Sequence, residues 1–153
     1  MAENRSIMGF LREHLAGNPV IRVEMDFSSA TWQVKESFKT FCGDTYEERI
    51  NISKNAFING FNKNSRDLTL SDSYGNEKYF ILVKVNNLSR RVSIMRMPPR
   101  IKAEVEGTLF VIDNKTHMAV KTMNFDVMGE EDLAPADRLA KTFDLLARKF
   151  LRS

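Results

Sequence analysis

Residues 101–127 read IKAEVEGTLFVIDNKTHMAVKTMNFDV, and the fold turns on this stretch. Ile101, Ala103, Val105, Leu109 and Val111 fall on one side of an extended chain, and Lys102, Glu104, Glu106, Thr108 and Phe110 on the other. That two-residue period is the signature of a strand. Asp113-Asn114-Lys115-Thr116 supplies a turn, because Asp and Asn tolerate left-handed backbone and bond to it locally. Residues 118–127 then return as the hairpin partner, with Met123, Phe125 and Val127 facing the core.

Outward toward the C-terminus, Glu130-Glu131-Asp132 precede Pro135, a favoured first-turn residue. A helix is predicted from there to about residue 151, with Ala136, Leu139, Ala140, Phe143, Leu146, Ala147 and Phe150 forming its apolar stripe. Outward toward the N-terminus, residues 78–88 place Tyr79, Ile81, Val83 and Val85 on one side and Phe80 and Leu82 on the other. Apolar residues on both sides mark a central strand or one covered twice. A short strand is predicted near 68–70, with a turn at 73–76 after it. Before it comes a helix starting at Asp44 or Thr45, where Thr45 and Glu48 have capping-box spacing, and fraying in the Asn-rich run 59–64. Residues 28–43, with Trp32, Phe38 and Phe41, show little periodicity. Residues 20–27 alternate as a half-buried strand, and residues 6–16 form a short amphipathic helix capped by Ser6 and stopped by Gly17 and Pro19.

The expected fold is therefore α+β: one antiparallel or mixed sheet of four to five strands, two long helices on one face, and a short N-terminal helix. A chain of 153 residues, 42% hydrophobic and 28% charged, fits a single domain, divided as a helical arm over 1–19 and a core over 20–153. The longest uninterrupted apolar runs are four or five residues, far short of a membrane-spanning helix. Residues 1–17 lack the continuous apolar region of a secretory signal, and the single cysteine suits a reducing compartment. A cytoplasmic location is the expectation, with a virion as the other.

Charge is distributed unevenly. Residues 78–103 carry seven cations, Lys78, Lys84, Arg90, Arg91, Arg96, Arg100 and Lys102, and no acid, while the whole chain is only +3, leaving −4 for the remainder. One basic face on a mildly acidic body is implied, suited to phosphate, a membrane surface or an acidic protein patch. Its arginines alternate with Val92, Ile94, Met95 and Met97, and no aromatic lies between Phe80 and Phe110. Single-strand nucleic-acid grooves present aromatic platforms, whereas protein interfaces are enriched in Arg and Met. A solvated hairpin, a subunit interface and a nucleic-acid surface all stay open.

Chemistry-bearing patterns are sparse. His14 and His117 have no metal-ligand spacing and read as ordinary surface or boundary residues. Cys42 has no nucleophile signature and reads as a small buried hydrophobe. No phosphate-binding glycine loop is present. Glu104 and Glu106 alternate with core residues, which puts them on a solvated outer face, and the acids at 130–132 favour the helix N-terminus that follows. No catalytic, metal or cofactor residues are expected.

The opening strand Val23-Glu24-Met25-Asp26-Phe27-Ser28-Ser29-Ala30-Thr31, the helix ending in Phe57 to Asn62, the hairpin around Glu106 to Asp113 and the closing amphipathic helix resemble small uncharacterised α/β proteins of gut bacteria or their phages. Those in turn look like the ring-forming subunit domain of the curli secretion channel. This chain departs from them in residues 89–100 and in the absence of an export signal. The resemblance implies a non-enzymatic assembly subunit of an oligomeric, ring-shaped complex, a virion or tail component or a secretion-type apparatus. The contact expected from the charges joins Arg90, Arg91, Arg96, Arg100 and Lys102 of one copy to Glu130, Glu131 and Asp132 of the next, head to tail. The alternative is a nucleic-acid-binding module using the same basic residues.

Overall fold

A computed structural model describes residues 6–75, 78–93, 100–129 and 135–153. The elements run α1 (Ile7–His14), β1 (Val20–Asp26), β2 (Thr31–Trp32), β3 (Glu36–Ser37), α2 (Phe38–Cys42), α3 (Tyr46–Asn64), β4 (Thr69–Ser71), β5 (Tyr79–Ser93), β6 (Arg100–Asp113), β7 (Ala119–Met128) and α4 (Pro135–Leu151). Among the described residues the sheet is mixed, one of the two arrangements expected, and has seven strands where four to five were expected. β5 is its spine. One edge of β5 pairs antiparallel with β6 from Tyr79↔Asp113 to Ser93↔Arg100. Its other edge takes β1 in parallel, Val23↔Ile81 to Asp26↔Lys84, and then β2, Thr31↔Asn87. β4 lies parallel outside β1, β3 outside β2, and β7 outside β6.

The parallel pairs follow from connectivity. Between β1 and β4 the chain passes through α3, and such a crossover returns the next strand in the same direction. From β4 the chain reaches β5 across the open side of β1, where Gly75 lies so close that a Cβ on it would sit 2.9 Å from the Ile21 carbonyl carbon. Only a residue without a side chain passes there.

The long helices and the buried halves of the strands form one core. Ile21, Val23, Ile81, Val83, Val85, Leu88, Val105, Leu109, Val111, Phe125 and Val127 are buried from the sheet, and Leu139, Phe143, Leu146, Ala147 and Phe150 from α4. Each such large side chain contributes roughly 1.5–3 kcal/mol by leaving water. α3 ends at Asn64, within the Asn-rich run where its end was expected. A Cβ on Gly60 would lie 3.2 Å from the Asp144 Cα, so this glycine is where α3 and α4 touch backbone to backbone. The capping box expected at Thr45 does not form, because the Thr45 hydroxyl donates instead to the Cys42 carbonyl at 2.9 Å. Ser6 does cap α1, its Oγ accepting the Gly9 N–H at 2.9 Å. Cys42 is buried, and His14 stacks on Phe10 at 4.1 Å between centroids, as boundary residues do. No helix among the described residues is long and apolar enough to cross a membrane.

Candidate interaction surface

The paired ends of β5 and β6 carry Arg90, Arg91, Arg100 and Lys102 of the residues picked out by charge. Register assigns their sides. Arg90 opposes Ala103 and shares the helix-side face with Leu88 and Val105, whereas Arg91 opposes Lys102 and shares the open face with Ser89 and Glu104. Arg90 is exposed and Lys102 half-buried. Arg100 is placed by its backbone, opposite Ser93. Arg96, Glu130, Glu131 and Asp132 lie outside the described residues.

On the open face, sequence distance concealed a cluster of acids. β7 pairs with β6 so that Glu106 faces Asp126 and Glu104 faces Met128. Carboxylate oxygens of Glu104, Glu106 and Asp126 come within 4.8 Å of one another. Glu104 is only 6% exposed, which corrects its expected place on a solvated face. It is buried because Arg91 and Ser89 reach over from β5. Arg91 Nε donates to Glu104 Oε1 at 2.7 Å, and Ser89 Oγ donates to the same oxygen at 3.1 Å. Burial alone pushes the Glu104 carboxyl up, but hydrogen bonding with Arg91, Asp126 and Ser89 outweighs it and holds the group below its usual range. Asp126 goes the other way, raised first by burial and then by its contact with Glu104. The arginine at the centre of the basic stretch is thus already paired within its own chain.

Beside this cluster stands a turn that sequence reading missed. β2 and β3 form a hairpin with three residues between the paired Trp32 and Glu36, turned by the Lys35 N–H donating to the Trp32 carbonyl at 3.0 Å. Its central residues Gln33 and Val34 have φ of +53° and +59°. Left-handed backbone suits the twist of such a hairpin but is disfavoured for a β-branched side chain. Asn87 holds it, its Oδ1 accepting the Val34 N–H at 3.0 Å and the Thr31 hydroxyl at 2.8 Å. The Val34 side chain is 79% exposed. Trp32 stacks on Phe41 at 4.0 Å between centroids, and the Arg49 guanidinium lies 5.8 Å from the Phe41 ring centre.

On the helix side, a cleft between Trp32, Leu88, Arg90, Arg138 and Leu139 encloses about 40 Å³. That is room for a water or two, not for an organic substrate.

Exposed apolar side chains sort by element. The large hydrophobics exposed among the described residues are Val34, Phe41, Tyr74, Val92, Met118, Val120 and Met128. All lie on strands, on their connections or on α2, and none on α1, α3 or α4.

No family model matches the chain, and no curated protein matches it. Solved structures do. A PelC dodecamer from Paraburkholderia phytofirmans is 14% identical, with 87% of this chain and 89% of that one covered at a TM-score of 0.42. A minor lipoprotein from Acinetobacter baumannii is 8% identical, with 88% and 91% covered at 0.46. A DUF330 protein from Xanthomonas campestris is 9% identical, with 89% and 82% covered at 0.46.

Proposed function

We propose that this chain is a non-enzymatic structural subunit that associates with copies of itself through the sheet side of the molecule. The observation that supports the reading is that, among the described residues, no large exposed hydrophobic lies on α1, α3 or α4, while Met118, Val120 and Met128 lie on or beside β7. Apolar side chains left together in water mark an interaction site more often than a defect. The β7 edge is where a partner gains apolar contact. Charge plays the smaller part, since Arg91 is held by Glu104. For the same reason, and because no aromatic residue lies between Phe80 and Phe110, the protein reading is preferred to nucleic acid.

Sedimentation of the purified protein between low salt and about 1 M salt tests this, because exposed ion pairs are screened over roughly 3 Å at that strength. A mass above 17.6 kDa that survives the salt is expected. An assembly that dissolves in salt would instead assign the contact to ion pairs between the 90–102 hairpin and residues 130–132. A 17.6 kDa particle at every concentration and salt would refute self-association.

A further inference from the structure

β7 is a ten-residue edge strand, bonded to β6 on one side and to no backbone on the other among the described residues. Which of its groups face outward follows from one hydrogen bond. The Gly129 N–H donates to the Ala103 carbonyl at 3.0 Å, which makes Ala103 and Gly129 a hydrogen-bonded pair. In an antiparallel ladder such pairs alternate with pairs that bond nothing across. Val105↔Val127, Gly107↔Phe125 and Leu109↔Met123 are then the bonded ones. Thr122, Asn124, Asp126 and Met128 turn their N–H and C=O groups to the free edge.

That set is self-complementary about Asn124. If a second copy runs antiparallel along this edge with Asn124 opposite Asn124, Thr122 meets Asp126 and Asp126 meets Thr122. Each of these pairs exchanges two backbone hydrogen bonds. The same register brings Met128, 42% exposed, to the bulge at Val120, 39% exposed, at both ends of the contact. Moving the axis to Asp126 would place two carboxylates face to face. Asn124 itself fits a two-fold axis. Thr108 Oγ1 donates to Asn124 Oδ1 at 2.9 Å, which leaves the amide N–H groups to reach the same oxygen of the partner. From Thr122 to Met128, beyond the bulge at Val120, β7 carries no proline and no cation to guard its edge.

We infer that two copies of this chain join β7 to β7 in antiparallel register centred on Asn124, so that their sheets become one continuous sheet. This rests on the self-association proposed above and supplies its geometry. The contact is isologous, a closed two-fold pair, and not the head-to-tail contact expected from the charges.

The test is site-specific cross-linking beside mass measurement. In a bonded antiparallel pair the Cα atoms are about 5.5 Å apart, within disulfide reach. Asn124→Cys is expected to give a covalent dimer on mild oxidation. Lys115→Cys, in the turn beyond the edge, and the wild type, whose lone Cys42 is buried, are expected to give none. Asn124→Pro removes one outward N–H and no bond to β6, so it should yield a monomer with an unchanged circular dichroism spectrum. An oligomer that persists in Asn124→Pro and resists cross-linking in Asn124→Cys overturns the β7 contact while leaving self-association standing. A wild-type monomer overturns both.

Discussion

Phe150→Ala probes the joint that keeps the helix layer on the sheet. Phe150 is fully buried on the last turns of α4, its ring centre 6.1 Å from that of Phe57 and 5.6 Å from that of Phe61, both on α3. Truncation removes a ring from between two others and leaves a cavity that the backbone contact of Gly60 with Asp144 prevents the helices from closing. A buried Phe→Ala change costs about 3 to 5 kcal/mol, and aromatic pairs add roughly 0.5 to 1.5 kcal/mol each beyond area, so the upper end applies. A domain of this size loses about 2 to 4 °C in Tm per kcal/mol, which makes the expected fall about 10 to 20 °C. Urea unfolding followed by tryptophan fluorescence reads it, because Trp32 is the lone tryptophan. The midpoint should drop without a change in slope. A loss below about 1.5 kcal/mol would mean that α4 slides to refill the space, and would refute the fixed crossing at Gly60.

Replacing Gln33-Val34 by Asn-Gly should stabilise the fold by about 1 to 2 kcal/mol, since both central positions are left-handed and this pair suits them; an unchanged or lower urea midpoint would show that no strain is stored there. Asp126→Asn should gain stability relative to wild type as pH rises from about 4 to 7. Asp126 has a raised folded pKa, so its contribution is present at low pH and lost as pH rises through that value. Glu104 is lowered, so its contribution is present above the ordinary carboxylate value and lost as pH falls through its folded one. A variant less stable than wild type at pH 7 but equal at pH 4 would reverse the assignment.

Periodic segments were legible because each has one buried side. α4, β1, β6 and β7 lie close to where alternation or helical spacing put them, and β5 is the central strand that its two apolar sides implied. Residues 28–43 were not, since β2 and β3 have two residues each and take their places from pairing with β5 and with each other, which leaves no local period to read. The role of Gly60 was hidden for a related reason, since only the neighbouring helix shows that it is a contact. The left-handed turn at Gln33-Val34 had no signal either, because neither residue is one that such turns select. The acid cluster did have one. Pairing Val111 with Lys121 around the turn brings Glu106 to Asp126 by counting back five residues on one strand and forward five on the other.

The same register divides the charge pattern read along the chain. Along the chain, residues 78–103 contain cations alone, and that uniformity implied a basic face. In a sheet, however, the neighbours of a side chain come from adjacent strands, and β5 is flanked at this end by β6, whose alternate residues are Glu104 and Glu106, with Asp126 of β7 one strand further on. Successive residues of one strand also face opposite ways, which sends Arg90 to the helix side and Arg91 to the open side. Arg90 and Arg91 are therefore divided between the two sides of the sheet. Arg91 serves to keep a buried carboxylate ionised, while the apolar residues at the rim and the unpaired backbone of β7 keep their capacity for a partner. Specificity then comes from strand register, where a slip of one residue would turn the outward groups of β7 inward and expose Met123, Phe125 and Val127.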